Sequence, residues 1–248
     1  MKVQFAGCGD AFGSGGRFNT CIHVEDGERK FLLDCGATSL IAMQRAGIDR
    51  GVIDAILLTH FHADHFGGIP FFILDQLFTV KRSRPLLIAG PPGLKDWYAR
   101  AMALAFPGER TLPFELILQE VEIGVAQGLA GPNLAGMTVT PFHVRHDDRA
   151  GPCLAYRIET GGKTLCFSGD TEWTDVLVDA ARGADLFICE CYMYEGLRKS
   201  HMTYTVLRQH LPSIGAGRVI LTHLSADMLA HIGDVEEDCA VDGLEVEI

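Results

Sequence analysis

Short apolar runs alternate with turn residues along this chain, a pattern typical of β-strands separated by tight connections. Residues 21–25 and 29–34 flank Asp26-Gly27, a dipeptide that favours a β-hairpin turn. Residues 39–46 have helical spacing and precede Gly47, a frequent residue at helix C-termini. The pattern predicts further strands at residues 3–5, 55–59, 85–89, 114–121, 137–144, 153–159, 164–167, 186–189 and 218–221, and further helices at 94–105, 174–181 and 203–211.

A strand-rich beginning followed by alternating strands and helices indicates an α/β layered fold. We expect residues 1–248 to form one domain, because no low-complexity tract or Ser/Gly linker interrupts the pattern. The composition, 48% hydrophobic and 21% charged, excludes a disordered chain. No apolar run approaches the roughly 20 residues of a membrane-spanning helix, and the first residues lack a secretory signal. We therefore expect a cytoplasmic protein with no membrane partner.

The net charge of −11 makes nucleic acid an unlikely partner, because binding a polyanion depends largely on Lys and Arg. A small substrate that contains phosphate stays compatible with this charge, since bound metal ions create a local positive site. The eight cysteines contain no C-x-x-C pair, and we expect buried, reduced thiols.

Four apolar segments each end in a residue that can bind a metal or carry a proton. Residues 56–60 and 219–223 both end in Thr-His, at His60 and His223. Residues 164–170 end in Asp170, and residues 185–190 end in Glu190. Ligand sites of α/β sheets lie beyond the carboxyl ends of strands, so these four residues predict one shared site.

The densest polar cluster is His60, His62, Asp64 and His65. Imidazole and carboxylate groups are the usual protein ligands of zinc, manganese and iron. In an extended segment, His60 and His62 lie on the same side and can bind one ion, whereas Asp64 and His65 can reach a second ion. The spacing therefore predicts a metal centre.

The segment from His60 to His65 resembles the H-x-H-x-D-H signature of the metallo-β-lactamase-fold hydrolase superfamily. Residues 34–36, 142–146, 168–171 and 221–225 resemble its other motifs, so the resemblance covers nearly the whole chain. Residues 7–20, Glu190 and residues 201–203 are most similar to the ribonuclease Z and phosphodiesterase branch. The resemblance implies a four-layer αββα sandwich, a dinuclear metal-dependent hydrolase and a homodimer.

The resemblance also implies the roles of individual residues. One metal would be held by His60, His62 and His146, and the other by Asp64, His65 and His223, with Asp170 bridging the two. The ions would be two divalent metals, zinc first, with manganese or iron as alternatives. Two such metals can generate a hydroxide at neutral pH and stabilise the charge that develops during displacement. Glu190 and His201 would donate the proton to the leaving alkoxide, and Asp64 would also orient the attacking hydroxide.

Other residues leave alternatives open. His143 could replace His146 as the third histidine ligand, but His146 shares strand parity with the apolar residues Phe142 and Val144, which favours His146. The lone histidines are interpreted as surface or packing residues: His23, His210 and His231. The candidates for substrate contacts are Tyr192, Tyr194, Arg17, Arg149, Arg198 and Lys199. The Gly-rich loop of residues 7–16 lacks the G-K-[S/T] of a P-loop and is expected to border the metal site.

The interval between His146 and Asp170 decides between substrates. Members of the branch that process tRNA with a long protruding arm carry the arm in this interval, and here predicted strands occupy most of it. A phosphodiesterase acting on a small or cyclic phosphodiester is therefore the leading hypothesis. The alternatives are an arm-less tRNA 3′-endonuclease and a hydrolase of lactones, esters or thioesters.

Overall fold

The computed structural model describes residues 1–27, 29–131, 133–196 and 199–248. Its strands are β1 (Lys2–Gly7), β2 (Cys21–Asp26), β3 (Arg29–Leu33), β4 (Ala55–Leu57), β5 (Leu86–Gly90), β6 (Leu116–Glu120), β7 (Gln127–Gly128), β8 (Thr138–His143), β9 (Leu154–Thr160), β10 (Lys163–Phe167), β11 (Leu186–Glu190), β12 (Val219–Thr222), β13 (Asp238–Cys239) and β14 (Glu245–Glu247). Its α-helices are α1 (Ser39–Arg45), α2 (Ala63–Phe66), α3 (Ile69–Asp75), α4 (Leu94–Ala105), α5 (Val176–Ala181), α6 (Tyr204–Ile214) and α7 (Ala226–Ala230). A π-helical turn, Gln76–Val80, continues α3.

The strands form two mixed sheets with the same plan. The first sheet has the order β14-β1-β2-β3-β4-β5-β6, antiparallel up to β3 and parallel from β3 to β6. The second has the order β13-β12-β11-β10-β9-β8-β7, parallel from β13 to β10 and antiparallel from β10 to β7. Parallel pairs bring the carboxyl ends of several strands to one edge of each sheet, where ligand sites of α/β sheets form.

Three apolar clusters define four layers. The central cluster joins the facing sides of the two sheets, with Phe5 and Phe31 from one sheet and Tyr156 and Phe167 from the other. A second cluster lies between the outer side of the first sheet and helices α1, α3 and α4. A third lies between the second sheet and helices α5, α6 and α7. The fold is therefore the αββα sandwich implied by the sequence resemblance, because each sheet buries one face against the other sheet and one against helices.

Hydrogen bonds connect the two sheets at their site edge. The Leu154 N–H donates to the Thr59 carbonyl oxygen (3.0 Å), and the Tyr156 hydroxyl donates to the Leu58 carbonyl oxygen (2.9 Å). The His223 N–H donates to the Cys8 carbonyl oxygen (3.0 Å). These buried contacts fix the end of β4 relative to β9 and the end of β12 relative to β1.

Most predicted elements occur within two residues of their predicted bounds, and α4 matches residue for residue. The sequence interpretation missed α3 with its π-helical turn, α7, and the short strands β7, β13 and β14. The described cysteines are free thiols, and all of them except the half-buried Cys239 are buried, as expected. None of the helices in the described ranges is both long and apolar enough to cross a membrane.

Candidate metal centre

The histidine-rich segment after β4 turns into the short helix α2, which displays Asp64 and His65 from adjacent positions. The helix packs closely against the turn after β3, where Cys35 N–H donates to the His65 carbonyl oxygen (2.7 Å). Gly36 makes this approach possible, since a Cβ there would lie 2.1 Å from the Asp64 carbonyl oxygen. This segment is thus a helix held against the first sheet.

Three imidazoles converge in the first group of candidate ligands. His62 Nδ1 lies 3.0 Å from His60 Nε2 and 3.0 Å from His146 Nε2. The ring nitrogens on the far sides are occupied: His60 Nδ1 lies 3.1 Å from Thr59 Oγ1, and His146 Nδ1 donates to the Ser200 carbonyl oxygen (2.7 Å). Such outer contacts fix the tautomer that presents a lone pair to a metal.

Burial keeps two of these imidazoles neutral. It lowers the pKa of His60 well below its usual value, and it lowers the pKa of His146 although Asp170 acts in the opposite direction. A neutral imidazole is the form that binds a metal. The first group therefore offers three nitrogen donors, as many as a catalytic zinc site takes from the protein.

The second group contains Asp64, His65, Asp170 and His223, with ligand atoms within 4.8 Å of one another. His65 Nε2 lies 3.2 Å from Asp170 Oδ1 and 3.4 Å from Asp64 Oδ2. His223 Nε2 lies 3.2 Å from Asp170 Oδ2, the oxygen that also lies 3.8 Å from His146 Nε2. The Asp170 carboxylate therefore lies between the two groups.

Asp34 supports the second group from behind. Its Oδ2 lies 2.7 Å from His65 Nδ1, and both residues are buried. Asp34 Oδ1 accepts a hydrogen bond from Thr59 N–H (2.7 Å). Asp34 and His223 have left-handed backbone angles, with φ of 59° and 60°. Such conformations are costly outside glycine and accumulate at functional sites.

The donors fit a cation. His65 Nε2 is buried and has no hydrogen-bond partner among the described residues, although it faces Asp64 and Asp170. Burial lowers the pKa of His65, but these carboxylates and Asp34 outweigh it and raise the pKa well above its usual value. Buried carboxylates that hold a proton on imidazole in this way would hold a metal ion instead.

Glu190 and His201 form a pair beside the two groups. His201 Nδ1 lies 3.1 and 3.2 Å from the two Glu190 oxygens, which also accept from the N–H groups of Thr171 and Met202. Burial raises the pKa of Glu190 to about 7, although His201 lowers it. His201 also belongs to a set with His146 and Asp170 whose ligand atoms lie within 4.8 Å of one another. The pair can therefore hold a proton at the edge of the centre.

The two groups open into a cavity of about 300 Å³. Its walls are formed by Ala11, Phe12, His62, Ala63, Asp64, His146, Asp170, Tyr192, His201 and His223. The Tyr192 ring stacks on His201, with ring centres 4.5 Å apart. Site residues from five strand ends and two loops thus meet in one space.

Several predicted candidates lie elsewhere. Tyr194 stacks on His231 (4.5 Å) and does not line the cavity. Arg149 pairs with Asp147 (2.6 Å). Arg17 and Lys199 are also absent from the walls of the cavity, and Arg198 lies outside the described residues.

The histidines without a motif are also separate from the centre. His143 is exposed at the end of β8 and lies 3.1 Å from Asp148, so the structure brings His146, and not His143, to the centre. His23 is buried in β2, and His210 stacks on Trp173.

Two contributors were missed by the sequence interpretation. Asp34 was noted only as part of a motif, although its position directly after a strand could have indicated a partner for a histidine. The Ser200 carbonyl oxygen carries no sequence signal, because its contact depends on how distant loops meet. The Gly-rich loop of residues 7–16 borders the centre as expected, since Ala11 and Phe12 line the cavity.

Residues 1–240 match the protein family described as "Anti-Pycsar protein Apyc1". The chain is 29% identical over 270 residues to the ribonuclease Z of Methanothermobacter thermautotrophicus, covering 91% of this chain and 87% of the relative. It is 25% identical over 239 residues to the Bacillus subtilis protein named "Probable metallo-hydrolase YhfI", covering 90% of this chain and 87% of the relative.

Solved structures share the fold. The metallo-β-lactamase fold protein YhfI of Bacillus subtilis superposes with a TM-score of 0.80 at 21% identity, covering 99% of each chain. The short form of human tRNase Z superposes with a TM-score of 0.81 at 24% identity, covering 100% of this chain and 99% of that chain. The expectation that nucleic acid is an unlikely partner is not supported, because relatives named ribonuclease Z act on RNA.

Proposed function

This chain belongs to the Anti-Pycsar protein Apyc1 family, and from that membership and its site we propose a phosphodiesterase that cleaves a small or cyclic phosphodiester. The chain is a metal-dependent hydrolase with the metallo-β-lactamase fold.

We assign one metal to His60, His62 and His146 and the other to Asp64, His65 and His223, with Asp170 shared. The distances within each group support this division, as does the position of the Asp170 carboxylate between the groups. Two divalent ions bound here would activate water and stabilise charge on phosphate oxygens. Nitrogen and carboxylate donors suit zinc first, and also manganese or iron.

The position of the Glu190–His201 pair is the observation that favours a phosphodiester as the substrate. An alkoxide leaving a phosphodiester is a strong base and needs a proton, which general acids supply. His201 lines the cavity beside His146 and Asp170, and its Nδ1 is held by a buried carboxylate. Glu190 therefore orients His201, and His201 donates the proton to the leaving oxygen.

Asp64, in the second group of candidate ligands, contributes charge and orientation for the nucleophile. The Asp64 carboxylate lies at the wall, 3.9 Å from His223 Nε2. It can accept a hydrogen bond from an attacking water and direct its lone pair at phosphorus. The arrangement thus separates a group that holds the nucleophile from a group that protonates the leaving oxygen.

The second candidate is an arm-less tRNA 3′-endonuclease, which the ribonuclease Z relatives favour. In the structure, β9 and β10 occupy most of the interval between His146 and Asp170, so no arm protrudes there. This supports a small substrate over a pre-tRNA that is bound through such an arm.

A panel of substrates tests the proposal. Protein reconstituted with zinc or with manganese is assayed on bis(p-nitrophenyl) phosphate, cyclic nucleotides, a pre-tRNA transcript, a lactone and a thioester. We expect turnover of the small phosphodiesters that a chelator abolishes. Efficient cleavage of the transcript at its 3′ side would favour the endonuclease instead. Turnover confined to the lactone or thioester would refute the phosphodiesterase and leave the fold and the metal site intact.

Two further expectations stay proposals. The family resemblance implies a homodimer, which light scattering of the purified protein would detect as twice the mass of one chain. A cytoplasmic location is the second, and fractionation of expressing cells tests it.

A further inference from the structure

Phe12 is the most exposed phenylalanine among the described residues, and it lies in the wall of the candidate catalytic cavity. Its exposed fraction is 80%, whereas Phe5, Phe31 and Phe72 are fully buried. Phe12 and Ala11 form the loop side of the cavity, and the other walls carry candidate metal ligands. An aromatic ring left in water beside a polar site is positioned to contact something that enters the site.

The loop that carries Phe12 is built by a buried carboxylate. Asp10 is fully buried, and its Oδ1 accepts hydrogen bonds from the N–H groups of Phe12 (3.2 Å) and Ser14 (2.8 Å). Asp10 Oδ2 accepts from the Ser14 hydroxyl (2.7 Å), and Gly13 N–H donates to the Asp10 carbonyl oxygen (3.2 Å). The backbone of Phe12 is therefore fixed before any ligand binds, which reduces the entropy cost of using its ring in binding.

The chemistry of the other walls indicates what Phe12 contacts. None of the described residues that line the cavity is Lys or Arg. The histidine and aspartate walls account for the reacting group, but they offer little to the rest of a substrate. Phe12 supplies an exposed aromatic surface, whereas the ring of Tyr192, which also lines the cavity, stacks on His201. Aromatic rings stack favourably on the faces of planar groups.

We propose that Phe12 is a stacking platform that binds a planar ring of the substrate, such as a nucleobase, while the phosphodiester lies at the metal side. Asp10 is then a positioning residue, because it fixes the loop and does not line the cavity. This inference rests on the proposed phosphodiesterase function and narrows the substrate to phosphodiesters that carry a planar ring.

Matched substrates test the platform. Adenosine 2′,3′- and 3′,5′-cyclic phosphates are each compared with the methyl riboside cyclic phosphate, which has the same reacting group and no base. We expect Phe12→Ala to lower kcat/KM for the nucleotide by about tenfold, mainly through KM, which is the typical range for losing one base stack. For the substrate without a base, the change stays within about twofold, because the metal side is untouched.

Three variants control the comparison. Phe12→Tyr keeps the ring and is expected to retain the nucleotide preference, whereas Phe12→Leu keeps an apolar side chain without a ring and loses it. Phe78→Ala removes another exposed phenylalanine (66% exposed) that lies outside the cavity. This variant is expected to leave kcat/KM unchanged for both substrates. Equal losses on both substrates, or no loss on either, would overturn the platform. A change of oligomeric mass in Phe12→Ala would overturn it too, since the ring would then be a subunit contact.

A binding readout separates this inference from the proposed function. In Phe12→Trp, the indole fluorescence of the zinc-reconstituted protein is titrated with adenosine monophosphate and with ribose 5-phosphate, and the wild-type signal is subtracted. We expect quenching by the nucleotide alone. If the wild type cleaves no cyclic phosphodiester, the proposed function fails, but the quenching experiment still tests whether residue 12 stacks on a planar ring. Equal quenching by both compounds, or by neither, would refute it.

Discussion

Replacing His201 by alanine removes the proton donor of the proposed mechanism and leaves the candidate metal ligands in place. His201 Nδ1 lies 3.1 Å from Glu190 Oε1, and the ring packs between Tyr192 and His146. The side chain is only partly exposed and is not part of either assigned ligand group. We therefore expect the variant to fold and to retain its metals.

The magnitude follows from the role of the proton. General acids contribute about 10²- to 10⁴-fold to rate when the leaving group is a strong base, so His201→Ala should lose about that factor on an alkyl phosphodiester. On a p-nitrophenyl ester the loss should stay below about tenfold, because p-nitrophenolate leaves as a stable anion. Glu190→Gln removes a charged hydrogen bond worth about 1.5–3 kcal/mol, which predicts an intermediate loss of about 10- to 100-fold on the alkyl ester.

The assay compares kcat of the wild type and each variant on the two esters, at matched metal content. His210→Ala serves as the control histidine, since it stacks on Trp173 and does not line the cavity. The reasoning would be refuted if His201→Ala slowed both esters equally, because the histidine would then bind metal or shape the site rather than donate a proton.

Three further predictions concern stability and metal affinity. Asp34→Asn replaces the buried acceptor of His65 Nδ1 and should weaken metal binding about 10- to 100-fold, measured by competition with a chelator; unchanged affinity would contradict the support role. Burial lowers the pKa of His23 to about 4. As pH falls below 6.5, His23 is therefore protonated in the unfolded state, but in the folded state it stays neutral until about pH 4. The free energy of unfolding should therefore fall by up to about 3 kcal/mol as pH falls through this window, and His23→Leu should remove this fall in urea unfolding curves; parallel pH profiles would argue against it. Gly169 has φ of +57°, and a Cβ there would lie 2.6 Å from a backbone oxygen of β9. Gly169→Ala should therefore lower the free energy of unfolding by more than about 1 kcal/mol in the same assay. An unchanged free energy of unfolding would show that the loop adjusts its backbone to the methyl group.

The sequence predicts those parts of the fold that are encoded locally. The Asp26-Gly27 turn determines the hairpin of β2 and β3, and the helical spacing of residues 94–105 determines α4. Helix α3 was missed because its apolar residues surround the helix instead of forming one stripe, and Phe71 remains about half exposed. Strands β13 and β14 contain two and three residues, so they exist only through pairing with distant strands.

The candidate site shows the same division between local and distant information. Strand ends with Thr-His or a carboxylate predicted that His60, His223, Asp170 and Glu190 meet, and the structure brings them to one centre, His60 and Glu190 through their contacts with His62 and His201. The parity argument for His146 does not apply, because β8 ends at His143. The hydrogen bond to the Ser200 carbonyl oxygen orients His146 instead, and that contact spans 54 residues of the chain. No pattern within a single segment could have predicted it.

Metal titration coupled to turnover tests the central claim most directly. Chelator-stripped protein is titrated with zinc while metal binding and hydrolysis of a small phosphodiester are followed together. The account predicts full turnover at two equivalents of zinc per chain, and loss of both metals and activity in Asp170→Ala, because this carboxylate lies between the two groups. Full activity in Asp170→Ala, or turnover without added metal, would contradict it.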